Sequence, residues 1–175
     1  MKKLLLILSI PISLLLVNCG GEEELQPVDT ITPIEPPALI YTYVPDPAFE
    51  QYLIDFGFDM ILDGRVNTSN IDKIRFLELE DYQIEDLTGI EGFDSLVVLG
   101  CYSNNLTNLD LSNNSILQQL DCFTNQLSSL DLSNNPKLQQ LNCEGNQLIS
   151  LDLSNNPNLS ELFCSDNQLT SLDLS

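Results

Sequence analysis

Four consecutive segments share one pattern: LVVLGCYSNNLTNLDLSNNSI (96–116), LQQLDCFTNQLSSLDLSNNPK (117–137), LQQLNCEGNQLISLDLSNNPN (138–158) and LSELFCSDNQLTSLDLS (159–175). They align at a period of 21 residues and reduce to LxxLxCxxNxLxxLDLSxNxx. Self-similarity at a fixed period is typical of solenoids, in which each turn contacts only its neighbours. A more divergent copy precedes them, with apolar residues at the matching spacings: Ile74, Leu77, Leu79, Ile84 and Leu87.

The alternation within each turn predicts which side chains face the interior. In Leu130-Asp131-Leu132 both leucines point inward and the aspartate points outward, as residues of a short strand do. Stacked turns place equivalent leucines about 4.8 Å apart, which buries a column that one turn cannot bury alone. Asparagines recur at two corners of the turn and are expected to bind turn backbone groups: Asn104, Asn125, Asn146 and Asn167 at the first, Asn114, Asn135 and Asn156 at the second.

This pattern resembles the leucine-rich repeat superfamily, in the nested 21-residue class whose turns contain two similar halves. The resemblance implies a mainly β, right-handed solenoid with two short parallel strands per turn. It covers residues 74–175, with one degenerate, three full and one truncated repeat. The chain stops midway through a repeat, so we expect a fragment of a longer array, or an end that another chain covers.

The first residues indicate export. Lys2 and Lys3 precede an apolar run, and residues 1–18 are predicted to be a signal peptide. The run ends in LVNC, which resembles the lipobox of bacterial lipoproteins and implies that Cys19 carries the lipid. The alternative is an ordinary secretory signal followed by an incidental cysteine. The acidic run GGEEE that follows resembles the export tag of surface lipoproteins of the Bacteroidetes, or is simply a solvated start of a linker.

A tether and a cap are predicted between the signal and the repeats. Residues 19–45 are acidic and rich in proline, which favours an extended, semi-rigid tether. Residues 46–73 are predicted to be a helical cap, because Asp46-Pro47 is a strong helix start and Gly57 a stop. Phe49, Leu53 and Phe56 follow at helical spacing and are expected to cover the first turn. This cap resembles those of flavobacterial and internalin-like repeat proteins.

Composition argues against several classes of function. The chain has 26 acidic and 6 basic residues, a net charge of −20, which disfavours nucleic acid and anionic lipid as partners. It contains no histidine, so the commonest general base and metal ligand are both missing. We therefore predict no catalytic residues and no cofactor, and a protein that is not an enzyme.

The four cysteines of the repeats occupy one position and should form a column inside the solenoid. A spacing near 4.8 Å exceeds the roughly 3.8 Å between Cβ atoms that a disulfide prefers, and a straight column does not surround a zinc ion. The column is therefore predicted to be core, with disulfides as the alternative. Its members are Cys101, Cys122, Cys143 and Cys164.

Two sets of acidic residues are weak calcium candidates. Asp59, Asp63 and Asn67 match three ligand positions of an EF-hand-like loop, but Asn70 replaces its bidentate glutamate, so a turn is the favoured interpretation. Asp110, Asp131, Asp152 and Asp173 form an outward column, expected to be solvated and tied to neighbouring serines, with weak calcium binding as the alternative.

The variable outward positions of the first strand are the predicted recognition surface. Varied side chains on a uniform scaffold are how repeat proteins encode binding. The sequence therefore predicts a lipoprotein of the flavobacterial type, exported and lipid-anchored at Cys19 in the outer membrane, exposed at the cell surface, that binds a protein or glycan. The alternatives are a passive envelope spacer, or the targeting part of a longer protein with a catalytic domain elsewhere. The candidate binding residues are Tyr102, Phe123, Phe163, Asp121 and Asn142.

Overall fold

The computed structural model describes residues 39–173. The predicted signal peptide, the lipidated Cys19 and the tether up to residue 38 lie outside this range, as do residues 174–175. Within it, no helix is both long and apolar enough to cross a membrane.

The described chain consists of short elements. In order they are β1 (Tyr41–Tyr43), α1 (Pro47–Asp55), β2 (Arg65–Asn67), α2 (Thr68–Ile71), β3 (Phe76–Glu78), a 3-10 turn (Ile90–Gly92), β4 (Val98–Gly100), β5 (Gln119–Asp121), β6 (Gln140–Asn142), β7 (Ser150–Asp152), β8 (Glu161–Phe163) and β9 (Ser171–Asp173).

One parallel sheet runs along the repeats. Its strands follow the order β3-β4-β5-β6-β8, one from each turn, so that equivalent residues lie in register. Leu77, Leu99, Leu120, Leu141 and Leu162 therefore form one row, and all face the interior. The predicted fold class is confirmed: the chain is a mainly β, parallel-strand solenoid of about five turns with few helices.

The second half of each turn is less regular than the sequence suggests. Among the described residues it forms paired strands only in the last two turns, where β7 pairs with β9. The equivalent leucines of earlier turns still face inward, with Leu109, Leu111, Leu130 and Leu132 all buried. The inward and outward alternation thus holds throughout, while the inter-turn strand pairing does not.

Asparagines at the first corner satisfy the backbone of two adjacent turns, as predicted. Asn125 accepts a hydrogen bond at Oδ1 from the Leu106 amide of the preceding turn, at 3.0 Å. Its Nδ2 donates to the carbonyls of Cys101, Cys122 and Phe123. Asn104, Asn146 and Asn167 repeat this arrangement. We call these four residues the asparagine ladder.

The second corner uses its asparagines only as donors. Asn135 Nδ2 donates to the carbonyls of Leu111 and Asn114, each at 3.1 Å. Its Oδ1 is buried and accepts no hydrogen bond, and the same is true of Asn114 and Asn156. The two corners, which look alike in sequence, therefore differ in how fully the amide is used.

The cysteine column is core, as predicted. Cys101, Cys122 and Cys143 are buried, Cys164 is partly buried, and all four are free thiols. Burial raises the pKa of Cys101 and Cys122 well above the ordinary range of a thiol, and that of Cys143 to about 12. These side chains therefore remain neutral at physiological pH and serve as small apolar groups.

Helix α1 begins where Asp46-Pro47 indicates and closes the first turn. Asp46 Oδ1 accepts from the amides of Ala48 and Phe49, and its Oδ2 accepts from those of Glu85 and Asp86. One carboxylate thus caps the helix and fixes a loop of the first turn.

The burial of this cap differs from the expectation at one position. Phe49 and Leu53 are buried, but Phe56 is 57% exposed and stacks on Tyr52, which is buried instead. The helix ends at Asp55, so Phe56 lies beyond the last helical residue and turns away from the interior. The ordered cap also starts upstream of Asp46, because β1 pairs antiparallel with β2.

Glu50 is a buried acid that organises the loop after α1. Its Oε1 accepts from the amides of Asp63, Gly64 and Arg65, at 2.8, 2.7 and 3.1 Å. The carboxylate is 2% exposed, so these three donors replace the water that it loses on folding. These bonds hold the segment that leads into β2, which begins at Arg65.

Candidate partner-binding face

The outward side of the five-stranded sheet is the surface that varies from turn to turn. We call it the strand face and define it by three rows of outward residues. The first row is Phe76, Val98, Gln119, Gln140 and Glu161; the second is Glu78, Gly100, Asp121, Asn142 and Phe163; the third follows the strands and is Glu80, Tyr102, Phe123, Glu144 and Ser165.

Two of the predicted binding residues form an aromatic stack in the third row. The rings of Tyr102 and Phe123 lie 4.6 Å apart between centroids and 10° from parallel, and both are partly exposed. The Tyr102 hydroxyl donates to Glu80 Oε2 at 2.7 Å. This bond, with a minor contribution from burial and neighbouring acids, raises the pKa of Tyr102 to about 12. The stack is therefore held at its edge by a carboxylate.

A gap in the second row lies between two carboxylates. Gly100 has no side chain, and the Glu78 carboxylate occupies the place where a Cβ at this position would lie. Burial raises the pKa of Glu78, and the nearby charges of Asp121 and Glu80 raise it further. Burial also raises the pKa of Asp121, an effect that a backbone hydrogen bond from Phe123 only partly offsets. Negative charge is thus concentrated around Gly100.

A shallow groove of about 220 Å³ joins the remaining candidates. Asp121, Asn142 and Phe163 line it together, with Glu78 and Gly100. Phe163 lies at one end of the groove and is 55% exposed. Tyr102 and Phe123 stack in the next row and do not line this groove. The structure therefore brings the five predicted residues onto one face, but in two separate places.

In the divergent first turn, the strand face includes three residues that sequence reasoning did not select. Phe76 is 66% exposed, and Glu78 and Glu80 extend the second and third rows into the divergent first turn. The spacing of Leu77 and Leu79 already indicated this register. Extending the alternation to the residues between and after these leucines would have identified both glutamates.

The outward aspartates of the second half-turn have a local role. Asp110, Asp131 and Asp152 each accept a hydrogen bond from the amide of the serine two residues later, at 2.9 Å. These bonds lower the pKa of Asp110 and Asp131. The expected tie to Ser112, Ser133 and Ser154 is confirmed.

The three loop residues proposed as calcium ligands, Asp59, Asp63 and Asn67, each bond to a different group of the chain. Asp63 forms an ion pair with Arg65 at 3.3 Å, and Asn67 caps helix α2 through the Ser69 amide. Asp59 Oδ1 accepts from the amide of Met60. Across residues 39–173, no group of three or more acidic or cysteine side chains has the geometry of a metal site.

Comparison with solved structures identifies chains of the same architecture. The chain is similar to the functional domain of InlJ from Listeria monocytogenes, which includes a cysteine ladder, with 37% identity and a TM-score of 0.72 over 79% of this chain. An internalin, InlF, from the same organism matches 73% of this chain at 20% identity and a TM-score of 0.58. A leucine-rich repeat protein of Leptospira interrogans matches 62% at 23% identity and a TM-score of 0.53.

This chain spans less than half of each of these proteins, namely 31%, 45% and 33% of their lengths. No protein-family model and no curated protein matches the chain. The register of the sheet, the stacked leucines and these structural neighbours agree on one architecture. The described residues form a leucine-rich repeat solenoid, and the solved structures similar to it are internalin-like leucine-rich repeat proteins.

Proposed function

We propose that this protein is a recognition module that binds a protein partner through the strand face, presented at the bacterial surface by a lipid anchor on Cys19. One observation carries the proposal: the two outward sides of the repeat differ. The second half-turn shows the same Asp and Ser in successive turns, while the strand face changes at each turn and exposes aromatic rings. Partly exposed Tyr and Phe side chains are common anchors of protein interfaces.

The internalin-like neighbours support a binding role rather than catalysis. The chain contains no histidine that could activate a nucleophile, and burial raises the thiol pKa values of Cys101, Cys122 and Cys143, which makes these thiols poor nucleophiles. The carboxylates of the strand face lie on an open sheet with only a shallow groove. This arrangement suits contact with a broad partner surface better than enclosure of a small substrate.

A binding experiment tests the recognition role. The full-length chain, purified in non-ionic detergent, is measured for saturable binding to a panel of purified extracellular proteins and glycans. We expect Tyr102→Ala/Phe123→Ala/Phe163→Ala to lose the binding by more than tenfold. The matched control Ser112→Ala/Ser133→Ala/Ser154→Ala changes three outward residues of the other side and should bind like the wild type.

Three results count against this proposal. Wild-type protein that shows no saturable binding favours the passive spacer. Binding that survives the aromatic variant places the site elsewhere, and binding to glycans alone contradicts a protein partner. The anchor is tested separately by metabolic labelling with radioactive palmitate in a producing bacterium, where Cys19→Ser should abolish incorporation. Protease accessibility on intact cells then tests surface exposure.

A further inference from the structure

The strand face combines carboxylates and aromatic rings, and none of its outward positions defined above holds a lysine or arginine. Four basic residues lie in the described chain, at 65, 73, 75 and 137, and all are outside the three rows. The acidic residues of the face are Glu78, Glu80, Asp121, Glu144 and Glu161. The aromatic residues are Phe76, Tyr102, Phe123 and Phe163. A face of this kind is complementary to a cationic partner.

The Tyr102–Phe123 stack has the geometry that favours a guanidinium over an ammonium. Its rings are nearly parallel and partly exposed, and Glu80 lies at the edge of the Tyr102 ring. A planar guanidinium can lie on an aromatic face and donate in-plane hydrogen bonds to a carboxylate at the same time. An ammonium lacks both the flat surface and the fork of donors.

A second group of carboxylates lies around Gly100. Glu78 lies over Gly100, and the charge of Asp121, two strands away, adds to burial in raising the pKa of Glu78. Asp121 is partly buried, and the amide of Phe123 offsets only part of the effect of that burial on its carboxylate, whose pKa is raised. A guanidinium placed beside the carboxylates of Glu78 and Asp121 would relieve the repulsion between the two acids.

We infer that the partner presents an arginine-bearing segment to the strand face, with one guanidinium on the Tyr102–Phe123 stack beside Glu80 and another beside the carboxylates of Glu78 and Asp121. The inference rests on the proposed function and specifies the chemistry of its partner. The charge and the geometry of the face both support it, since acidic groups flank the aromatic stack as well as the gap.

The test uses synthetic peptides of one length as probes. The full-length chain in non-ionic detergent is titrated at 150 mM NaCl, about physiological ionic strength, with alternating Arg-Ser, Lys-Ser and Glu-Ser dodecapeptides. We expect the arginine peptide to bind at least threefold more tightly than the lysine peptide, and the glutamate peptide not to bind. Glu78→Gln/Glu80→Gln/Asp121→Asn should weaken binding of the arginine peptide at least tenfold.

A matched variant separates a local site from the overall negative charge. Asp110→Asn/Asp131→Asn/Asp152→Asn removes the same number of charges from the other outward side and should weaken binding less than threefold. Tyr102→Ala/Phe123→Ala should reduce the preference for arginine over lysine to near unity. Circular dichroism of each variant confirms that the solenoid is intact.

Several results would overturn the inference. These are absence of binding by the arginine peptide, equal weakening by the two charge variants, and an arginine preference that survives loss of the aromatic stack. The recognition role has a separate outcome. If the aromatic triple variant loses partner binding but arginine peptides do not bind the wild type, the strand face is a binding site for a partner of different chemistry.

Discussion

Substituting the same residue at the two corners should give very different losses of stability. In Asn125→Ala, the Leu106 amide loses its acceptor, and Leu106 is fully buried. The three carbonyls that Asn125 contacts each keep another donor: Asn104 for Cys101, Asn146 for Cys122 and the Ser103 amide for Phe123. The main cost is therefore one orphaned amide.

Asn135→Ala leaves no such group. The carbonyl of Leu111 keeps the amide of Asn114 as donor, and the carbonyl of Asn114 keeps the amide of Leu117, both at 3.0 Å. The substitution also removes Oδ1, which is buried without a partner in the wild type. A buried unsatisfied donor costs about 1–3 kcal/mol, and the volume removed is the same in both variants. We expect Asn125→Ala to be more destabilising than Asn135→Ala by about 1–3 kcal/mol.

Equilibrium urea unfolding followed by circular dichroism measures this difference, provided that both variants keep the wild-type m-value. Hydrogen exchange gives an independent reading, because the Leu106 amide should lose protection in Asn125→Ala and keep it in Asn135→Ala. Equal losses of stability, or a Leu106 amide that stays protected in Asn125→Ala, would refute the reasoning.

Three further predictions concern thiols, glycines and one acid. In a Cys19→Ser background, Ellman's reagent should label only Cys164 rapidly in the folded protein and four thiols after denaturation; fewer than four would indicate a disulfide. In thermal unfolding, Gly89→Ala should cost at least about 2 kcal/mol, because φ is +108° and a Cβ would overlap the backbone of β1. Gly100→Ala should cost less than about 1 kcal/mol, because only a flexible glutamate must move, and equal losses would contradict the comparison. Burial raises the pKa of Asp121 in the folded state, so ionisation of this carboxylate at pH 7 destabilises the fold. Asp121→Asn should therefore raise the melting temperature at pH 7 but not at pH 3, where the carboxylate is protonated. An equal increase at both pH values would show that the effect has another cause.

The regular part of this molecule could be predicted because it depends on neighbouring turns. The 21-residue period determines the register, and the alternation around Leu120 and Leu141 determines which residues face the interior. The free cysteine column follows from the same alternation, since each cysteine lies two residues after an inward leucine, as Cys122 does after Leu120, and therefore faces the interior as well.

The features that sequence reasoning missed depend on local structure that the repeat period does not describe: a returning loop, the end of a helix and the divergent first turn. Glu50 is a single acid in an exposed-looking helix, and its burial depends on a loop that returns 13 residues later. Phe56 follows the helical spacing, but the helix ends one residue before it. Glu78 and Glu80 lie in the divergent turn, where the repeat pattern is weakest, and they are placed on the strand face only when the alternation of Leu77 and Leu79 is extended to them.

The position of Asp46 has a consequence for how the array forms. Turns that are nearly identical provide no internal mark of where a stack should begin, and a solenoid can nucleate at any of them. Asp46 removes this degeneracy at one end, because its two oxygens require helix α1 and the loop at Glu85 and Asp86 to be in place together. The helix and the first turn should therefore fold and unfold as a single cooperative unit. The remaining turns then stack on this unit in a defined register.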